Sequence, residues 1–428
     1  MPKVEQRLKA RILPFLVAIL LLLQFIDDYR GWRILLAGLG GAWLIGYLWA
    51  RSLAQGIRLR REIRFGWAQV GDRIIERFTL RNTSRFNALW IEVVDHSTLP
   101  SYNASSVVTV EGDKTIKWFK EAVCTSRGLF NLGPIDILTG DPLGLYTVKI
   151  EYPTSIPLLV MPLVVPLPTI EVAAGGRPGE GRVRASVIER TVSAAYVREY
   201  QPGDQYRWIH WPTSAKHGSL YVRLFDGTPA GDLWIMLDLH REVHVGVGQD
   251  STEEHEVILA ASLADRGIRS GQSVGLIAAN HDLVWLPPRG GETQRWQILY
   301  ALAKVRPGDR PLAELLTRTR PILRWGTNLT IITPSIDLRW VEALVPMIGQ
   351  GVIPTVLLLD SVSFGGADDP VDIQSSLIQL GVAHYIIPRN LLDEATTKYD
   401  QRQGEDEPKT RTADDTRRAA REPWKVVL

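Results

Sequence analysis

Residues 233–238 read Leu-Trp-Ile-Met-Leu-Asp, five apolar residues in a row closed by a carboxylate. A strand with one face in water alternates apolar and polar side chains, so an unbroken apolar run points to a strand covered on both faces. The sequence downstream continues that pattern. Residues 253–267 carry Val257, Leu259, Ala260, Leu263 and Ala264 at helical spacing, 274–278 read as a second buried strand, and 293–305 as a second helix. Strand, helix and strand recur at 329–332, 338–348 and 352–360, and 372–380 with 383–387 complete the series. Apolar strands alternating with helices predict a parallel sheet with helices on both faces, an α/β domain ending near residue 390.

Immediately upstream, residues 196–226 read YVREYQPGDQYRWIHWPTSAKHGSLYVRLFD. Strand-like runs at 196–200 and 220–225 flank a Pro202-Gly203-Asp204 turn and a dense mixture of aromatic, cationic and small polar residues. Trp208, His210 and Trp211 stand beside Arg207, Thr213, Ser214 and Lys216, a set that is costly to bury unless each polar group finds a partner. The stretch therefore reads as a docking surface, with Arg198, Glu199, Tyr200, Gly203, Asp204, His210, Trp211, Ser214, Lys216 and Arg223 as its binding residues. The plainer reading makes Arg198, Glu199, Asp204, Arg207 and Arg223 ion pairs that hold the ribbon against the α/β domain. Asp204, His210 and Ser214 also supply the residue types of a hydrolytic triad, but no Gly-x-Ser-x-Gly nucleophile elbow accompanies them. The expectation is a protein that is not an enzyme, with a hydrolase centred on His210 as the least favoured alternative.

Arg198-Glu199-Tyr200-x-Pro202-Gly203-Asp204, Ile209-His210-Trp211, Ser214-Ala215-Lys216 and Leu220-x-Val222-Arg223 resemble the signature of the domain of unknown function 58 family. Arg127-Gly128-Leu129-Phe130-x-Leu132-Gly133-Pro134 and Asp141-Pro142-Leu143-Gly144-Leu145 resemble that family's second hallmark, so the likeness covers most of the chain beyond residue 60. The resemblance implies an α/β domain similar to the von Willebrand factor A fold. It also implies protein partners, namely a MoxR-type AAA+ ATPase and other von Willebrand factor A proteins. The ATPase would be a separate chain, since no Walker motif occurs here. In that fold an Asp-x-Ser-x-Ser sequence after the first strand, completed by a later Thr and Asp, holds a metal ion. Here Asp238-Leu239-His240-Arg241-Glu242 keeps the aspartate and lacks both serines, while Thr333-Pro334-Ser335 offers hydroxyls without a carboxylate. Magnesium takes oxygen ligands in near-octahedral array, so this degenerate site at Asp238, His240, Glu242 and Thr333 is expected to bind no metal, and no cofactor is expected. The alternative is a metal-dependent ligand-binding module at Asp238. His240 and His244 would suit a transition metal on a helix, but Val243, Val245 and Val247 favour an extended ribbon with both histidines on one face.

The remaining chain places these domains. At 428 residues it can hold two or three cores. Lys and Arg (49) nearly balance Asp and Glu (47), which leaves no global footprint for nucleic acid. The single cysteine, Cys124, excludes an intrachain disulfide and reads as a structural thiol. Residues 12–26 and 34–50 are apolar runs a little short of the roughly 20 residues that cross a bilayer, separated by a polar break at 27–31. They predict a transmembrane helical hairpin in contact with lipid through residues 12–50. Lys3, Arg7, Lys9 and Arg11 before it, and Arg51, Arg58, Arg60, Arg61 and Arg64 after it, put both termini and the main domains in the cytoplasm, with the protein held at the cell membrane. Short alternating runs such as 74–80, 89–94 and 115–119, broken at strand spacing, predict an all-β, immunoglobulin-like sandwich. Within it, Asp141-Pro142 reads as a turn initiator. The expected organisation is a membrane anchor over 1–56, the β-sandwich over 57–166, a Gly- and Pro-rich linker over 167–195, the signature with its α/β domain over 196–390, and a charged, disordered tail over 391–428. The whole reads as a membrane-anchored scaffold or adaptor with cytosolic protein-interaction domains.

Overall fold

The computed structural model describes residues 2–27, 29–167, 196–199, 214–216, 218–224, 232–279, 283–392 and 425–426. The chain divides into two compact units, Met1–Leu163 with Leu302–Lys304 and Gln403–Leu428, and Val164–Ala301 with Val305–Arg402.

The first unit joins a pair of apolar helices to a β-rich body. Helix Ile12–Ile26 occupies the first apolar run, whereas the second helix, Arg30–Gly56, overshoots its run at both ends. The cause is visible in its burial. Its outer turns expose Ile34, Leu44, Ile45 and Leu48, while Ala50, Leu53 and Ala54 near its end are buried in the β-rich core. Helix Arg30–Gly56 is long and apolar enough to cross a membrane, and Ile12–Ile26 is a shorter apolar helix beside it.

Alternation produces the sheets. Arg73–Asn82 and Tyr146–Tyr152 bury every second residue, and Phe78, Leu80, Ile91, Ile137, Val148 and Leu158 meet in one core. One sheet orders Lys3–Leu8, Tyr146–Tyr152, Ile135–Gly140, Ala88–Asp95 and Ser106–Val110. Another pairs Ile57–Ile63 with Arg73–Asn82 and then Thr115–Val123, and a third places Ile156–Met161 between Trp67–Gln69 and Gly128–Leu132. Two strands lie outside the sequence reading. Lys3–Leu8, read only as a cationic flank, pairs antiparallel with Tyr146–Tyr152, and Lys3, Glu5 and Glu151 form surface ion pairs along it. Lys425–Val426, in the tail expected to be disordered, pairs with Ile57–Ile63 at a free sheet edge. Cys124 is buried, and burial with the nearby Asp72 pushes its thiol up to about 11, in keeping with a structural role.

The second unit contains a six-stranded sheet built from β1 (Leu233–Leu237), β2 (Val274–Ala279), β3 (Leu283–Arg289), β4 (Asn328–Thr333), β5 (Ile353–Leu359) and β6 (Ala383–Ile387), in the order β3-β2-β1-β4-β5-β6. All neighbours are parallel except β3, which runs antiparallel along β2. The apolar runs account for this order. β1, β2 and β4 are buried throughout, while the two edges, β3 and β6, expose part of their length. The helices are α1 (Thr252–Arg269), α2 (Glu292–Lys304), α3 (Leu312–Thr319), α4 (Leu338–Gly349) and α5 (Val371–Gln379). Ser251 caps α1 by accepting the Glu254 amide, with Glu253 and Glu254 in the first turn where the helix dipole favours them. β3 and α3 were not legible from periodicity: Pro287 and Pro288 interrupt the first, and the second is eight residues long.

Candidate functional site

β1 and β4 are central neighbours whose connections leave in opposite directions, toward β2 on one side and β5 on the other. Their carboxyl ends therefore open a crevice, the position at which open α/β sheets bind ligands. Register places Leu237 opposite Ile332, so the next residues, Asp238 and Thr333, meet at the rim. The Thr333 hydroxyl donates to Asp238 Oδ2 at 2.6 Å, and the His240 amide donates to Asp238 Oδ1 at 3.2 Å. Below them the Asp238 amide is shared between the Ile332 carbonyl at 3.1 Å and Glu256 Oε1 at 2.5 Å. Glu256 is fully buried on α1, and His244 Nε2 approaches its other oxygen at 3.9 Å.

The crevice holds about 260 Å³ and is lined by Asp238, His240, Glu242, Val243, Pro311, Leu312, Ala313, Ser335, Asp337, Arg339 and Trp340. Its floor is rigid. The Ser335 amide donates to Thr333 Oγ1 at 2.9 Å, and the buried Trp340 ring donates from Nε1 to the Ser335 carbonyl at 3.2 Å. Its rim is charged. Arg339 pairs with Asp337 at 2.7 Å and holds that carboxyl below its ordinary value by hydrogen bonding. Asp238 behaves oppositely: burial pushes it up to about 6, with Asp337 adding to the shift and the Thr333 bond opposing it.

The four residues of the degenerate metal site thus divide. Asp238 and Thr333 bond directly, His240 contributes its backbone, and its ring lies 4.0 Å from Glu242. The extended ribbon read for 240–247 does not form. His240 makes a single parallel bridge to Gly308, Arg241–Val243 turns as a 3-10 helix, and the His244 ring bonds the Thr252 hydroxyl at 3.2 Å. The bridge to Gly308, reinforced by the Arg241 amide bonding its carbonyl, bends the chain away before alternation can set in. Among the described residues no group of three or more His, Cys, Asp or Glu is placed to hold a metal ion. Ser335, read with Thr333 as a source of hydroxyls, does line the crevice, whereas sequence reasoning missed Glu256, Asp337, Arg339 and Trp340. Glu256 was detectable, because it lies on the helical face of Leu259, Ala260 and Leu263, where a carboxylate needs a partner.

Of the signature, the backbones of Tyr196–Glu199 and Tyr221–Leu224 pair antiparallel, with Arg198 opposite Val222 and Val197 opposite Arg223. Ser214 is buried at the start of one helical turn; its hydroxyl accepts the Tyr221 amide at 2.9 Å, while Lys216 is exposed. Tyr200, Gly203, Asp204, His210 and Trp211 lie outside the described residues, as does the 168–195 portion of the expected linker.

Residues 196–345 match the family described as Protein of unknown function DUF58, the domain that contains both the signature and the crevice. A curated relative, the uncharacterized protein YeaD of Bacillus subtilis (strain 168), is 25% identical over 245 residues, 54% of this chain; the chain spans 58% of that relative's length. Among solved structures, an aerotolerance-related membrane protein from Bacteroides fragilis NCTC 9343 is 15% identical and aligns over 39% of this chain and 99% of its own, with a TM-score of 0.29. The C-terminal domain of wzt is 10% identical and aligns over 26% of this chain and 75% of its own, with a TM-score of 0.20.

Proposed function

We propose that this carrier of the DUF58 domain is a membrane-anchored, non-enzymatic scaffold or adaptor whose cytosolic units bind protein partners. The helix pair crosses the membrane twice as a hairpin, with both chain ends cytoplasmic. The observation that carries this topology is that Lys3–Leu8, before the pair, and Ile57–Ile63, after it, are strands of the same β-rich unit. A chain that crossed only once would have to place those strands on opposite sides of the bilayer. The α/β unit is von Willebrand factor A-like; its β3-β2-β1-β4-β5-β6 order with one antiparallel edge supports that assignment.

In this reading the interface lies on the signature, and the crevice at Asp238 is a structural feature of the α/β unit whose polar groups bond one another. Thr333 and the His240 amide occupy the Asp238 oxygens, and the Tyr221 backbone occupies Ser214. The partner class is a MoxR-type AAA+ ATPase, together with other von Willebrand factor A proteins, and Trp211 and Arg198 belong to the contact. Cross-linked pull-down from extracted membranes tests this. An ATPase recovered with wild type and with Asp238→Ala, but lost with Trp211→Ala, fits the proposal. Equal recovery from all three moves the interface off the signature.

A further inference from the structure

The turn 141–145, Asp-Pro-Leu-Gly-Leu, is built more rigidly than a connection between two strands requires. Asp141 is buried; its Oδ1 accepts the Tyr146 amide at 2.5 Å and its Oδ2 the Leu143 amide at 2.9 Å. Pro142 fixes one backbone angle, and Gly144 takes the left-handed conformation (φ +68°) that closes the turn back to the Asp141 carbonyl. The result is a fixed loop tip at which Leu143 stands 58% exposed.

Its surroundings explain the exposure. The Leu145 carbonyl accepts the Lys9 and Ala10 amides at 2.8 and 3.4 Å, directly before helix Ile12–Ile26, whose first residues Ile12 and Phe15 are outward-facing and apolar. On the other side the turn abuts Gly46 of helix Arg30–Gly56. A Cβ there would stand 3.3 Å from both Asp141 Oδ2 and Leu145 Cδ1, so only glycine admits this approach without displacement. Tyr47 packs edge-on against Tyr146 with ring centroids 5.9 Å apart, and Arg51, exposed, donates to the Tyr47 hydroxyl at 3.0 Å.

Both helices therefore cross the level of this turn, one at Ile12 and the other at Gly46. Beyond that level, residues 12–26 and 30–46 rise only about 22 and about 25 Å at 1.5 Å per residue, less than the roughly 30 Å hydrocarbon core. A bilayer that covers these helices must reach down to the turn. Lys9, Arg11 and Arg51 flank that level at the height of the headgroups, and Tyr47 is the kind of residue found there.

We propose that the turn 141–145 is a third membrane contact, its Pro142-Leu143 tip seated at the boundary between headgroups and acyl chains of the same bilayer that the helices cross. The β-rich unit then lies against the membrane surface at a fixed height instead of swinging from a tether. This rests on the membrane-spanning reading above.

The test uses the full chain in phosphatidylcholine–phosphatidylglycerol vesicles with an environment-sensitive fluorophore on an introduced cysteine. Cys124 is buried, and wild type treated identically supplies the background. Leu143→Cys is compared with Ile19→Cys, on the exposed face of the first helix, and with Asn103→Cys. Asn103 follows strand Ala88–Asp95, whose last residue pairs with Ile135, at the far end of the strand that leads into the turn. Nitroxide lipids quench each label, with the nitroxide either near the headgroup or deep in the chain. A seated turn makes the Leu143 label blue-shifted and quenched several-fold more than the Asn103 label, most strongly by the shallow nitroxide, while the Ile19 label responds to the deep one. A Leu143 label that behaves like Asn103, with Ile19 quenched, overturns the third contact and leaves the spanning helices standing. An unquenched Ile19 label overturns both.

Discussion

Asparagine in place of Asp238 should change how the stability of the α/β unit depends on pH. Asp238 is fully buried between β1 and β4, and burial raises its pKa from 3.8 to about 6. A raised carboxyl favours folding in its protonated form. Its contribution is fully present below its ordinary value and is lost as the pH rises through about 6. At about 1.4 kcal/mol per unit, a shift of about two units means an ionised Asp238 costs the folded state about 3 kcal/mol at neutral pH relative to acid. The substituted carboxamide cannot ionise and carries no such cost. It does turn an amide toward Thr333, whose hydroxyl now donates to Oδ2, a mismatch of about 1–3 kcal/mol at every pH. The stability difference between Asp238→Asn and wild type should therefore move in the variant's favour by about 3 kcal/mol between about pH 3 and about pH 7, most steeply between the unfolded value of 3.8 and the folded value of about 6 and so centred near pH 5. Other groups around the crevice, His240, His244, Glu256 and Asp337, remain in both proteins and largely cancel in the difference. Hydrogen exchange of peptides covering β1 and β4, compared at matched pH, reads this unit without interference from the β-rich one. A difference that stays constant across the range would show that water reaches Asp238 and would refute the desolvation argument.

Other perturbations probe both units. Thr333→Val removes the donor on Asp238 Oδ2, and should cost about 1–3 kcal/mol at pH 7 and move the pH transition upward, read by the same exchange experiment. In the β-rich unit Arg61 is buried, bonds both Glu76 oxygens at 2.8 and 2.7 Å and Asp95 at 3.1 Å, and lies 5.4 Å from the Phe78 ring centroid. Glu76→Ala should therefore cost about 3–5 kcal/mol, measured by denaturation in detergent, whereas replacing Arg61 and Glu76 together with apolar residues should cost less. Gly56→Ala puts a methyl 2.7 Å from the Ser84 amide nitrogen at the junction of helix and strand, where backbone must move; the expected loss is about 1–3 kcal/mol. Magnesium, manganese or zinc at millimolar concentration should leave the unfolding of the α/β unit unchanged; a rise in its midpoint that Asp238→Ala abolishes would favour the metal-module reading.

Legibility from sequence followed the strength of each periodic signal. β1, β2, β4 and β5 declared themselves because a doubly covered strand is predominantly apolar, interrupted inside only by the small Thr330 in β4 and Thr355 in β5. β3 did not, since an edge strand tolerates Pro287 and Pro288 and exposes side chains on both faces. Lys3–Leu8 was hidden by its charge: Lys3 and Arg7 look like a topology signal, and both also pair with Glu5 on a sheet surface. The site was legible in part. Asp238 and Thr333 were singled out from two strand ends 95 positions apart, and they do bond. Asp337, Arg339 and Trp340 were missed because what brings them to the crevice is the turn from β4 into α4, capped by Asp337, and no local pattern encodes that crevice. The His240–His244 ribbon failed for the same reason, since a bridge to Gly308 overrides local alternation.

The central claim is that the signature engages a protein partner while the crevice at Asp238 does not supply metal chemistry. The most direct measurement is the binding of a purified MoxR-type AAA+ ATPase to the full chain in lipid nanodiscs, comparing wild type, Trp211→Ala and Asp238→Ala with and without magnesium. The expected result is saturable binding to wild type and Asp238→Ala, at least a tenfold loss (about 1.4 kcal/mol or more) with Trp211→Ala, and no dependence on magnesium bound to this chain. Binding that survives Trp211→Ala but disappears with Asp238→Ala or on removal of the metal would contradict it.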